Sequence, residues 1–190
     1  MKTFGLYEEG FLAACNINGG GTGGGSGGGG GSGSGAGTTW TSRTSQGNSL
    51  YGVAYGNGLF VAVGEGGTIL TSPDGVTWTR QTSGTYSSLY GVTYGNGLFV
   101  AVGIGGTILT SPDGVTWTRQ TSGTYSSLYG VAYGNGLFVA VGIGGTILTS
   151  PDGVSWTERD SGTSNWLWGV TYENGTFVAV GDYGTILTSP

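Results

Sequence analysis

The sequence predicts an all-β fold, a four-bladed β-propeller closed by an N-terminal strand and preceded by a Gly-rich linker and a short N-terminal anchor peptide. Two observations carry that expectation. The stretch Leu89–Ser127 recurs from Leu50, from Leu128 and, shortened, from Leu167, and the first two copies differ only at Ala54/Thr93 and Glu65/Ile104. A fixed period of about 20 to 50 residues marks units that bury their apolar faces against one another. Composition is the second: 45 glycines and only 8% charged residues leave little of the Glu, Lys, Arg and Ala on which stable helices depend.

Each copy divides into four short strand candidates. In the second, Leu89–Tyr94 is broken by Gly95-Asn96-Gly97, where Asn-Gly is a strong hairpin signal. Leu98–Val102 follows, then the break Gly103-Ile104-Gly105-Gly106, then Thr107–Thr110. Ser111-Pro112-Asp113-Gly114 breaks the chain again before Val115–Thr118, and Arg119–Ser127 links to the next copy. Four antiparallel strands joined by tight hairpins describe a propeller blade. A solenoid coil would not need three hairpins per unit, and a sandwich would not repeat almost verbatim.

The expected blades are 50–81, 89–120, 128–159 and 167–190. The last copy stops at Ser189-Pro190, before a fourth strand. Gly37-Thr38-Thr39-Trp40-Thr41-Ser42-Arg43 matches the tail Val115-Thr116-Trp117-Thr118-Arg119, so residues 38–43 are expected to complete the blade begun at Leu167. Such closure removes an exposed sheet edge. A ring closed within one chain, spanning 38–190, is the expectation, and it makes the blades of Glu65 and Asp182 neighbours. The alternative is that the same ends pair between two chains, giving an eight-bladed ring.

Ser72-Pro73-Asp74-Gly75-Val76-Thr77-Trp78, with copies at 111–117 and 150–156, resembles the Asp-box (BNR-like) motif S-x-D-x-G-x-x-W, with Asp and Gly one residue closer together. The resemblance covers residues 38–190 and implies a propeller of the sialidase-type superfamily. In that family the box forms the turn between a blade's third and fourth strands. It implies structural roles for Asp74, Asp113 and Asp152 as acceptors of turn N–H groups, and a tryptophan wedged between blades. Sialidases of the family gather arginines around the substrate carboxylate. Here Arg43, Arg80 and Arg119 follow separate outer strands, and the next equivalent position is Glu158, so the catalytic residues are missing.

Other totals narrow the function. The net charge is −5, and the basic residues Lys2, Arg43, Arg80, Arg119 and Arg159 form no patch for phosphates, so no nucleic-acid partner is expected. No apolar run nears the length of a transmembrane helix. The single cysteine, Cys15, excludes an internal disulfide and a thiolate zinc cluster. Histidine is absent, which removes the commonest general base and metal ligand. No enzyme activity, cofactor or metal is expected.

Residues 1–18 differ in character from the rest. Phe4, Tyr7, Phe11 and Ala14 would share one face of a short helix. So short a helix orders only against a partner, so the segment reads as an anchor to a larger assembly. Leu12-Ala13-Ala14-Cys15 resembles a lipoprotein lipobox, but Glu8 and Glu9 interrupt the apolar region that such a signal needs, and lipid anchoring at Cys15 is not expected. Residues 19–37 read as a flexible linker.

Candidate ligand-binding residues lie on the face expected to carry the links between blades and the second-to-third-strand turns: Tyr86, Tyr125, Trp166 and Trp168, with Glu65, Asp182 and Tyr183. Aromatic faces beside a few polar groups suit sugar rings or a flat receptor surface. The fourth copy departs most, at Trp166, Trp168, Glu173, Asp182 and Tyr183, and these changes would equally suit seating the N-terminal strand. Among the aromatics of the innermost strands, Tyr51, Tyr90, Tyr129 and Trp168 alternate with Tyr55, Tyr94, Tyr133 and Tyr172, and half are expected to pack between blades. The expected function is a non-enzymatic adhesion head on a virion or extracellular surface, such as a phage tail fibre, recognising a glycan or cell-surface receptor. The alternatives are a structural or decorating subunit and an engineered repeat propeller.

Overall fold

The computed structural model describes residues 37–43 and 47–190. The expected anchor 1–18 and linker residues 19–36 lie outside the described residues. Fifteen strands among the described residues form four sheets. The first contains β1 (Leu50–Gly56), β2 (Leu59–Gly64), β3 (Ile69–Ser72) and β4 (Thr79–Gln81). The second contains β5 (Leu89–Gly95), β6 (Leu98–Gly103), β7 (Thr107–Ser111) and β8 (Thr118–Gln120). The third contains β9 (Leu128–Gly134), β10 (Leu137–Gly142), β11 (Ile147–Ser150) and β12 (Thr157–Arg159), and the fourth β13 (Leu167–Glu173), β14 (Thr176–Gly181) and β15 (Ile186–Ser189). Every sheet is an antiparallel meander in chain order.

The hairpins follow from the turn residues. Asn57 and Gly58 both take positive φ, 49° and 75°, which is the two-residue turn whose twist matches that of the flanking strands. At the opposite end of each sheet a single 3-10 turn, such as Glu65–Gly67, joins the second strand to the third. Its first backbone N–H is tied to the link before the sheet, as Ile104 N–H to the Ser88 carbonyl at 3.0 Å. Links and 3-10 turns therefore share one face of the molecule, and the Asn-Gly and Asp turns share the other.

The first strands β1, β5, β9 and β13 pack side by side in that order, so the sheets stack face to face. Val61 and Val63 of the first sheet and Ile69 beside them bury against Leu89, Val92, Phe99 and Leu109 of the second. Two further clusters repeat this junction between sheets two and three and between three and four. A middle sheet is covered on both faces, which is why Phe99 through Gly103 are buried without alternation.

The structure corrects three expectations. The fourth strand begins later than Val115, Thr118 being its first residue, because Val115 and Thr116 give their N–H groups to Asp113. Residues 38–43 form no strand, and the fourth sheet has three strands. β13 does not come round to pack along β1, so β1 and β13 stand at opposite ends of the row. For the same reason Glu65 and Asp182 stand in the first and last sheets of the row and are not in neighbouring blades.

Candidate functional site

The Asp turns are built alike in three sheets. Asp113 Oδ1 accepts the N–H groups of Val115 at 2.8 Å and Thr116 at 2.7 Å and the Ser111 hydroxyl at 2.9 Å. Ser111 in turn accepts the Gly114 N–H at 2.8 Å, and the Trp117 indole donates to the Gly114 carbonyl at 2.9 Å. Asp74 and Asp152 repeat the arrangement. Donors aimed at one carboxylate favour its charged form. The N–H groups of Thr116 and Val115, then Ser111, hold Asp113 below the usual 3.8, at about 2. Ser155, Val154 and Ser150 do the same for Asp152. Asp74 is lowered by Thr77, Val76 and Ser72. These carboxylates are acceptors consumed by their own turns, not acids facing a cleft.

The tryptophans close the packing. Trp117 lies against the first junction with Leu59 and Tyr94, and Trp156 against the second with Leu98 and Tyr133. Tyr94, Tyr133 and Tyr172 each pack tilted against the phenylalanine of their own sheet with centroids 4.6 Å apart. They occupy the junctions, as half of the inner-strand aromatics were expected to.

The other half form a row. Tyr51, Tyr90, Tyr129 and Trp168 sit where the register between first and second strands shifts, each at a β-bulge. Their rings follow one another across the four sheets at 5.3, 5.1 and 4.7 Å between centroids. The row ends on Trp166, edge-on to Trp168 at 5.5 Å and 6.3 Å from Tyr129. The Trp168 indole donates to Asp182 Oδ1, which fixes the ring. Tyr51, Tyr90 and Tyr129 belong to this arrangement as much as Trp168 does. Their signal in the sequence was recurrence one residue after the opening leucine of each copy.

Of the predicted site residues, Trp166, Trp168 and Asp182 come together at the link face of the fourth sheet. Tyr183 adjoins them with φ 53°, a left-handed conformation that the other sheets give to Gly66, Gly105 and Gly144. Holding a tyrosine there costs on the order of 1–3 kcal/mol, and its side chain is 95% exposed. Tyr86 and Tyr125 stand apart on the links of other blades, almost fully exposed. Tyr125 borders a shallow pocket of about 400 Å³ with Arg119 and Gly105. Glu65 is exposed and accepts the Ser49 N–H at 3.4 Å, three sheets from Asp182. Arg80, Arg119 and Arg159 lie on the outer strands of three different sheets. Among the described residues no group of three His, Cys, Asp or Glu side chains converges on a point.

No protein-family model matches the chain, and no curated protein matches it either. Solved structures do. The computationally designed Ika4 protein aligns with a TM-score of 0.62 at 16% identity, over 78% of this chain and 94% of that one. A structure titled YCF48 bound to D1 peptide aligns at 0.62 and 22% identity over 81% of this chain. The designed Ika8 protein aligns at 0.60 and 16% identity over 73% of it. The fold is a β-propeller in four blades. The chain spans about half the length of the second and third of these, 54% and 45%.

Proposed function

We propose that the chain is a non-enzymatic recognition module whose ligand rests on the link face of the fourth blade. One observation carries the reading. Trp166 and Trp168 are held edge to face beside Asp182 and the strained, exposed Tyr183, in the blade that departs most from the repeated sequence. Half-exposed indoles next to a carboxylate acceptor suit a sugar ring, whose apolar face stacks while its hydroxyls donate. Glycans, free or on a cell surface, are therefore the first ligand class, with residues 1–18 as the anchor to a larger extracellular or virion particle. The Asp turns supply rigidity in the manner of the Asp-box propellers, without the arginines of a sialidase.

Glycan-array and whole-cell binding by the 190-residue chain tests this. Binding that falls at least about tenfold in Trp166→Ala is expected, the scale of a buried or stacked aromatic anchor. Absence of binding to any glycan or cell, with the fold intact by circular dichroism, removes the proposal. A peptide array is the second arm, because the YCF48 neighbour is a peptide complex. A second reading, an engineered repeat propeller without a ligand, is favoured by the two nearly identical first copies and by the two designed neighbours.

A further inference from the structure

Each of the first two junctions is plugged by a turn tryptophan, Trp117 or Trp156. The third is not, and a cavity of about 380 Å³ opens there, bounded by Leu137, Tyr172, Phe177, Leu187 and Pro190. Beside it the outer edge of β15 has no strand paired to it among the described residues. The matching plug lies at the other end of the chain. Gly37 takes φ 89° and its carbonyl accepts the Trp40 indole at 3.1 Å, the same hook that Gly114 and Trp117 make. Trp40 is nonetheless 87% exposed.

The sheet faces at the two ends are equally unpartnered. Leu50 and Val53 are each 41% exposed, whereas their counterparts Leu89 and Val92 are buried in a junction. On the far side of the row Val180 and Ile186 are 46% and 67% exposed, whereas Val63 and Ile69 are fully buried. In the first junction Val63 and Ile69 pack in one cluster with Leu89 and Val92. The bare face of the fourth blade is thus the natural partner of the bare face of the first.

We propose that two copies of this chain join head to tail into one eight-bladed ring. Residues 41–43 of each copy become the outer strand of the other copy's fourth blade, and Trp40, held by the hook that precedes it, fills the open cavity. A second copy is favoured over the chain's own end because β13 and β1 stand at opposite ends of the row, and residues 37–43 precede β1 by only six residues of chain. The four blades align with about half of two longer chains, 54% and 45% of their lengths, so one such chain holds about twice this much fold. Two identical head-to-tail contacts then close the assembly and leave no free end to grow. The register of β7 with β8, in which Thr110 faces Thr118, places Thr41 of one copy opposite Thr188 of the other.

Light scattering on the 190-residue chain should give a particle of twice 19.0 kDa. With Cys15→Ser, the pair Thr41→Cys and Thr188→Cys should oxidise to a disulfide between differently tagged copies. A 19.0 kDa particle, a disulfide confined within single chains, or open-ended higher assemblies would each overturn the proposal. Trp40 lies outside the folded sheets, so Trp40→Ala should fold normally. It is expected to raise the dimer dissociation constant about tenfold or more, as loss of a central aromatic anchor does. An unchanged dissociation constant in that variant would remove residues 37–43 from the interface.

Discussion

Thr107 carries a buried hydroxyl without a hydrogen-bond partner, and the end blades show how it is satisfied elsewhere. The equivalent Thr68 and Thr185 accept from Asn48 and Asn165 at 2.8 Å, whereas the residue in that place before the second blade is Ser87, which is shorter. Ser87→Asn should reach Thr107 and stabilise the protein by about 1 kcal/mol, the usual net worth of such a bond. In a chain of this size that corresponds to a melting temperature about 2–4 °C higher by calorimetry. A second residue-scale prediction concerns acid. Asp113 and Asp152 titrate near 2 when folded and near 3.8 when not, so the unfolded state takes up protons first as pH falls. Their contribution is present above about pH 4 and disappears as pH drops through about 2. Denaturant midpoints should fall across that window. They should fall less steeply in the double variant Asp113→Asn and Asp152→Asn, and parallel curves would show that the turns are not the acid-sensitive element.

At the scale of elements, the junctions depend on an absence of side chain. A Cβ on Gly56, Gly95 or Gly134 would lie only 2.0, 2.1 or 2.0 Å from Cγ of the next blade's tyrosine, Tyr94, Tyr133 or Tyr172. Gly→Ala inside a strand ordinarily helps by restricting the unfolded chain. At Gly95 the sign should reverse, with a loss of about 1–3 kcal/mol from overpacking, read as a lower urea midpoint at unchanged slope. A gain in stability would mean that the tyrosine yields easily and the seat is not a constraint. The blades were legible in the sequence because Asn-Gly, the Gly-rich turn and Ser-Pro-Asp-Gly recur at fixed offsets from an apolar run. The glycine seat was not, because at the end of a strand Gly95 reads as a turn residue, and only the neighbouring blade reveals what it makes room for. The start of β8 was misplaced for a similar reason: Val115 and Thr116 have strand propensity, but Asp113 takes their N–H groups into the turn. Half of the candidate site was legible through the departures of the fourth copy, Trp166, Trp168 and Asp182. The ring row through Tyr51, Tyr90 and Tyr129 became visible only once the register shift placed it.

At the scale of the whole molecule, the fourth blade differs from the others at the position of the seat. Glu173 stands where Gly56, Gly95 and Gly134 stand, and Thr176 where Leu59, Leu98 and Leu137 stand. Among the described residues no further blade covers that surface, so the glutamate is exposed and tolerated. In a ring of two copies, Tyr55 of the incoming first blade meets Glu173 rather than a glycine. The junction between copies is therefore looser at its Asp-turn end than the three junctions within a copy, while Gly169, whose counterparts Gly52 and Gly91 press on the next backbone, keeps the other end close-fitting. Glu173→Gly restores the seat and removes a carboxylate that would otherwise lose water beneath an aromatic ring. It should lower the dimer dissociation constant about tenfold, a gain of roughly 1.4 kcal/mol. Because association stabilises only the folded chain, the melting temperature should rise with protein concentration in the parent, and by more in Glu173→Gly. A concentration-independent melting temperature in both chains would leave the four blades as a monomeric arc. A weaker dimer in Glu173→Gly would mean that the carboxylate bonds across the junction instead of obstructing it.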